Sequence, residues 1–95
     1  MSDLIESALA ALGAKFDGGI DGAAKFVITG EGALMLDGEG VRAGDEPAEV
    51  TLTADADTFQ AILEGDLSPT AAFMSGRLAI DGDMGLALRL GAALA

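Results

Sequence analysis

Neither cysteine nor histidine occurs among the 95 residues, so any chemistry this chain performs must rest on carboxylates, hydroxyls and five cations. Disulfides, thiolate nucleophiles, Cys/His zinc sites and every triad or general base built on imidazole are thereby removed. Ser75 has no candidate base beside it and is not read as a nucleophile. Asp81-Gly82-Asp83 offers two carboxylates to a cation, but the remaining ligands of an EF-hand loop are missing, and a turn followed by a helix cap accounts for it. Gly38-Glu39-Gly40-Val41-Arg42-Ala43 matches the letters of a dinucleotide fingerprint. That mechanism needs a helix N-terminus directly after the motif, whereas Gly44-Asp45-Glu46-Pro47 reads as loop. Nine of the 16 acids lie between Asp37 and Asp66, with Arg42 the only base among them. A solvated face explains them most simply and a basic partner comes second, since nothing places two of these carboxylates in an apolar pocket suited to acid–base work. No catalytic residue, metal ligand or cofactor is assigned.

The charge balance narrows the partners. Five basic and 16 acidic residues give a net charge of −11 and a pI near 4.1. Nucleic acid, whose binding depends on Lys and Arg at phosphates, is excluded on that ground, and docking on anionic lipid through a basic patch is disfavoured. With 51% hydrophobic residues and a mean hydropathy of +0.43, the chain can bury one modest core, as expected of a single domain over residues 1–95. No basic segment precedes an apolar one at the start, so no signal peptide is expected. The apolar runs fall far short of the ~20 residues of a membrane helix. A soluble, cytoplasmic protein without stable membrane insertion is expected.

Periodicity supplies the elements. Ser2 to Leu12 reads as an amphipathic helix, capped by Ser2 or Asp3 and stopped at Gly13, with Leu4, Ile5, Ala8, Leu9 and Leu12 at helical spacing. Lys25 to Thr29 and the stretch through Leu34 and Leu36 alternate with period two around Gly30-Glu31-Gly32, which predicts a β-hairpin. About two strand residues are expected around Val41, and a further strand in Glu49–Thr53 with Val50 and Leu52 inward. Asp55 or Asp57 caps a helix carrying Phe59, Ile62 and Leu63, ended by Gly65. Ser68-Pro69 opens a short helix to Met74, and Arg77–Asp81 is a strand with Leu78 and Ile80 inward. The last helix, Met84–Ala95, has Arg89 as its only charge and is apolar nearly all round. It is expected to be buried on more than one side, to depend on tertiary contact and to be the most mobile element, since Gly85 and Gly91 weaken it by up to ~1 kcal/mol each.

Phe26, Phe59, Phe73, Met35, Met74 and Met84 fall on elements that must meet in so small a chain. Core packing accounts for most of them. Flexible methionines and an aromatic content of 4% also suit an adaptable lipophilic cavity.

The stretch Asp55-Ala56-Asp57-Thr58-Phe59-Gln60-Ala61-Ile62-Leu63-Glu64-Gly65-Asp66-Leu67-Ser68-Pro69, continuing as Thr70-Ala71-Ala72-Phe73-Met74-Ser75-Gly76-Arg77-Leu78-Ala79-Ile80-Asp81-Gly82-Asp83-Met84, strongly resembles the sterol carrier protein 2 (SCP2) family. The family pattern is a helix ending in Gly, a Leu-x-Pro opening a short helix, a Gly-[Lys/Arg]-Leu opening a strand, and a Gly-Asp before the closing helix. Several motifs in order are far more specific than any one, and with the hairpin from Phe26 to Leu36 the resemblance covers Ala24 to Ala95.

The resemblance implies an α+β fold, a mostly antiparallel five-stranded sheet with helices packed on one face. It also implies an apolar tunnel between sheet and helices that takes a fatty acid, fatty acyl-CoA, sterol or other lipid. Carried over by position, Phe59, Ile62 and Leu63 and the segment Phe73-Met74-Ser75 line the tunnel, with Phe26 joining them from the first strand. Leu78 and Ile80 form part of its floor, and Met84, Ala87, Leu88 and Leu90 close it. Three departures stand out. Ala33 or Leu34 occupies the place of a second-strand tryptophan found in many members, the N-terminal helix is short, and the chain ends Leu94-Ala95 without the Ser-Lys-Leu type peroxisomal address of some eukaryotic members. A bacterial or archaeal source is expected, with sterol then an improbable natural ligand.

The leading expectation is a non-enzymatic module that binds, and in transfer releases, a small hydrophobic ligand. The alternative keeps the fold without the ligand, as an interaction or dimerisation module, and a homodimer is left open under both. An enzyme would have to rest on carboxylates alone. At −11, a free fatty acid or neutral lipid is favoured over the more anionic acyl-CoA.

Overall fold

Large apolar residues at every second position bury one face of a sheet, and here they do so in most of its strands. In the computed structural model, which describes residues 3–94, the order is α1 (Asp3–Lys15), β1 (Ala24–Thr29), β2 (Gly32–Asp37), β3 (Gly40–Ala43), β4 (Val50–Asp55), α2 (Ala56–Glu64), α3 (Pro69–Met74), β5 (Leu78–Gly82) and α4 (Met84–Leu94). The expected caps at Ser2 and the helix end at Ala95 lie outside the described residues. Ala24, Phe26 and Ile28 of β1 and Val50, Leu52 and Ala54 of β4 are buried while their neighbours are not, the period-two signature of a sheet with one covered face.

The strands lie in the order β3-β2-β1-β4-β5. Neighbours are antiparallel except the central pair β1–β4, which is parallel. Register places Leu34 and Leu52 on either side of Phe26, with Ala43 beyond Leu34 and Ile80 beyond Leu52. One row of side chains on the helix-covered face thus crosses the sheet, buried at Leu34, Phe26 and Leu52 and open to solvent at Ala43 on the β3 edge. Ile5, Ala8 and Leu12 of α1, Phe59 and Ile62 of α2, Ala72 of α3, and Leu86, Ala87, Leu90 and Leu94 of α4 share one core with the inward strand residues. This is the α+β arrangement expected of the SCP2 resemblance. On the opposite face Met35 is also buried. Its cross-strand neighbours hold the chain that follows β3 across it: Lys25 Nζ meets Asp45 at 2.8 Å, and Arg42 bridges Asp37 at 2.7 Å and Glu46 at 3.3 Å.

Local chemistry fixes the helix ends. The Asp55 carboxylate accepts from the Thr58 amide at 2.7 Å and opens α2, and Gly65 closes it in the left-handed region at φ 83°. The Ser68 hydroxyl accepts from the Ala71 amide at 3.0 Å with Pro69 in the first turn of α3, and Asp83 accepts from the Leu86 amide at 3.1 Å to open α4.

Four expectations need correction. Gly13 does not stop α1, which runs on to Lys15. A side chain at Gly13 would reach Val41 at 3.6 Å, so this glycine marks close packing on β3, and tertiary contact carries the helix past it. The strand around Val41 has four residues because it pairs with Leu34–Asp37. β5 begins at Leu78, one residue later than expected, and runs past Asp81 to Gly82, which the sequence assigned to a turn, because pairing with Val50 of β4 holds it in register. α4 is not buried on more than one side. Its buried residues form a single stripe, and Leu88 and Met84 stand out to solvent.

Gly82 has φ 115°, and a Cβ there would run into the carbonyl oxygen of Glu49, whereas one at Gly65 would meet open space. Gly65→Ala should therefore cost about 1 kcal/mol in urea unfolding, from backbone strain alone. Gly82→Ala should cost about 2 kcal/mol or more; equal losses would show that β4 and β5 do not approach so closely.

A second expectation concerns acid. The hydrogen bond from the Thr58 amide holds the Asp55 carboxyl below its ordinary value of 3.8, and that from Arg42, followed by the Glu39 amide, does the same for Asp37. Ionised, these groups stabilise the fold above the unfolded carboxyl range, and the contribution is lost as pH falls through their lower folded values. Stability should decline below about pH 4. Asp55→Asn, which still caps but does not titrate, should flatten that decline when unfolding is followed against pH.

Candidate functional site

The β5 side of the core is where sheet and helices leave space. Leu52 and Ile80, opposite each other in the β4–β5 register, and Leu78 form a floor. α3 contributes Pro69, Thr70 and Phe73, and α4 contributes Met84, Ala87, Leu88 and Gly91. Together they enclose a groove of about 90 Å³. Gly91 faces Pro69 where the two helices meet, and a Cβ on it would make an ordinary contact, 3.7 Å from that of Pro69. Thr70 brings the only polar side chain of this set.

A smaller gap of about 10 Å³ lies further in, between Phe26, Phe59, Ile62 and Leu94, and it shares Leu52, Pro69 and Leu78 with the groove. Its end wall is an edge-to-face pair, Phe26 on Phe59, with ring centroids 5.7 Å apart and planes at 73°. Groove and gap adjoin at these shared side chains and together trace an apolar path from the surface toward the centre of the sheet. The one buried polar side chain among the described residues, Thr58, has its hydroxyl accepting from Arg77 Nε at 3.2 Å. No buried side-chain nitrogen or oxygen lacks a partner among the described residues, so the path offers no orphaned polar group to a head group.

The mouth is apolar as well. Phe73 is 42% exposed, Met84 44%, Leu88 69% and neighbouring Met74 80%.

Of the side chains predicted from sequence, Phe73, Leu78, Ile80, Met84, Ala87 and Leu88 come together in the groove, and Phe26, Phe59, Ile62 and again Leu78 around the inner gap. Four lie elsewhere. Leu63 faces a more polar groove of about 380 Å³ between α1 and α2, beside Leu4, Gln60 and Glu64. Leu90 is buried and lines the other flank of α4, beside Phe16, Ile20 and Arg89. Met74 is on the outer surface of α3, and the Ser75 hydroxyl donates to the Ala72 carbonyl at 3.1 Å, ending that helix. The sequence reading missed Leu52, Pro69, Thr70, Gly91 and Leu94 as lining residues. Leu52 had the right strand parity, and Gly91 could have been read as a contact glycine instead of only as a weak point in a helix.

No cluster of three or more acids able to hold a metal is found among the described residues. No described helix is long and apolar enough to cross a membrane.

Comparison with known proteins bears on this geometry. A sequence model of the SCP-2 sterol transfer family matches residues 7–95. Hydroxysteroid dehydrogenase-like protein 2 of Xenopus tropicalis is 45% identical over 74 residues, which is 70% of this chain but 18% of that protein. The chain therefore spans less than a fifth of this relative's length. Among solved structures, sterol carrier protein 2 of Aedes aegypti in complex with palmitate superimposes with a TM-score of 0.82 at 24% identity, over 100% of this chain and 97% of that one. Palmitated SCP2L2 of Aedes aegypti superimposes with a TM-score of 0.70 at 26% identity, over 99% and 95%.

Since Phe59 forms the end wall against Phe26, Phe59→Ala should cost about 3–5 kcal/mol in chemical denaturation while enlarging the inner gap. A loss below about 1 kcal/mol would mean that the pair is not part of the packed core.

Proposed function

The chain belongs to the SCP-2 sterol transfer family, and from that premise we propose that it is a non-enzymatic lipid-binding domain whose ligand is a fatty acid or similar acyl-chain lipid held in the path between β4–β5 and helices α3 and α4. The observation that supports the reading is the almost wholly apolar lining of the groove and of the adjoining gap, from the exposed mouth to the Phe26–Phe59 wall. The palmitated relative at 26% identity supports an acyl chain as ligand. The net charge of −11 favours a free fatty acid over the more anionic acyl-CoA.

Ligand pockets usually offer about 300–1,000 Å³, several times the roughly 90 Å³ of the groove. Binding on this reading therefore requires the wall to yield. Phe73 of α3 and Met84 and Leu88 of α4 stand partly in solvent, and on this reading they swing out at little packing cost to admit the ligand. Apolar burial then supplies the affinity, at ~25 cal/mol per Å² before ordering costs. The same proposal takes residues 1–95 as one domain with a cytoplasmic location. It assigns any chemistry of longer relatives to the parts of those proteins that this chain does not match, because the lining of its own site holds no ionisable side chain and its one hydroxyl, that of Thr70, has no base in the lining to activate it.

Filling the groove tests the reading. Gly91→Leu places a side chain between α3 and α4 with an ordinary contact at its Cβ, and it removes a helix-weakening glycine worth up to ~1 kcal/mol. The thermal midpoint should hold or rise while palmitate uptake, followed by native mass spectrometry and a fluorescent fatty-acid displacement titration, weakens on the order of tenfold or more. A folded Gly91→Leu protein that takes up palmitate as the wild type does would place the ligand elsewhere, and a wild type that takes up none would remove the reading altogether.

A further inference from the structure

The acids of this chain are unevenly placed. Fourteen of the 16 precede Leu67, and the other two, Asp81 and Asp83, lie together at the end of β5 and the start of α4. Helices α3 (Pro69–Met74) and α4 (Met84–Leu94) contain none, and Arg89 is their only charge. On these same helices lie the four exposed large apolar side chains found among the described residues, Phe73, Met74, Met84 and Leu88, and three of them line the groove. An exposed apolar cluster of this kind marks an interaction surface. Its charge decides among the partners. A basic protein would be drawn to the acid-rich stretch from Asp37 to Asp66, not to the acid-free helices. A second copy would bring two chains of −11 together. A surface without net charge has neither problem.

We propose that the α3–α4 face docks on a zwitterionic lipid bilayer, with Met74, Leu88, Phe73 and Met84 entering the interface and the groove mouth facing the lipid. This rests on the lipid-binding reading only for its purpose; the docking itself can be tested apart from it. Lying shallowly on the bilayer requires only an apolar face and no spanning helix. On anionic bilayers the bulk charge opposes approach, so binding there is weaker and recovers as salt screens the repulsion.

Met74 separates docking from ligand uptake, because it is 80% exposed and does not line the groove. The probe is co-flotation with phosphatidylcholine vesicles, run beside uptake of palmitate from aqueous solution. Wild type should float with the vesicles, and Met74→Asp, with an unchanged thermal midpoint, should partition roughly tenfold less while taking up palmitate as before. Equal flotation of Met74→Asp and wild type overturns the proposal. So does a wild type that takes up palmitate but does not float, a result that leaves the lipid-binding reading standing. Flotation that Met74→Asp abolishes, in a protein that takes up no palmitate, sustains the docking face and removes the lipid-binding reading. A concentration-dependent dimer in sedimentation that Met74→Asp dissolves, without flotation, makes this face a contact between copies and also overturns the proposal.

Discussion

The parallel pairing of β1 with β4 is the constraint from which the rest of the architecture follows. These strands are not consecutive, and β2, β3 and the loop to Glu49 must return across the molecule to bring them together. Once Phe26 is set beside Leu52, parity fixes which residues face inward on every other strand, because each neighbouring pair inherits its register from the centre. Phe59 of α2 then closes on Phe26 from above, and that contact seats the helix layer on the sheet.

Space for a ligand is a consequence of where this layer runs out. α1 and α2 cover the β3, β2 and β1 side, where Ile5, Ala8, Leu12, Phe59 and Ile62 are buried in one core with Phe26, Ile28, Leu34 and Leu36. Over β4 and β5 the cover is a one-and-a-half-turn helix and a terminal helix with a single buried stripe. Pro69 of α3 faces Gly91 of α4, and Phe73, Met84 and Leu88 line the exposed end of the seam. The groove is thus the seam between two short elements, and it is apolar because it is cut from the same core. Thr70 is the one side chain of its lining with a polar group.

Charge and hydrophobicity are arranged as complements on this surface. The acids concentrate in the first two thirds of the chain, where they solvate the turns, cap α2 and hold the segment after β3 across Met35. The last third gives up that solvation and keeps large apolar side chains in water. Exposing Leu88 and Met74 is unfavourable for an isolated soluble domain, and the exposure becomes intelligible if the same face meets lipid.

Much of this was legible in the sequence because it is local. Two-residue alternation identified the hairpin and β4, Asp55 or Asp57, Ser68-Pro69 and Asp83 marked helix starts, and Gly65 marked an end; each depends on groups within about four residues of one another. The ordered motifs from Asp55 to Met84 carried the fold family, since their spacing reflects the whole topology. Contacts between distant segments were not legible. Gly13 looked like a stop and is a packing contact with Val41 on β3, Gly91 looked like a defect in α4 and is the point where α3 meets it, and Leu63, Ser75 and Leu90 looked like tunnel residues but turn to other surroundings. Sequence determined which residues are apolar and on which elements they ride. Only the tertiary structure decided which flank of α4 faces which groove, because a helix that is apolar nearly all round has no intrinsic inside, and its orientation is set by the elements it packs against.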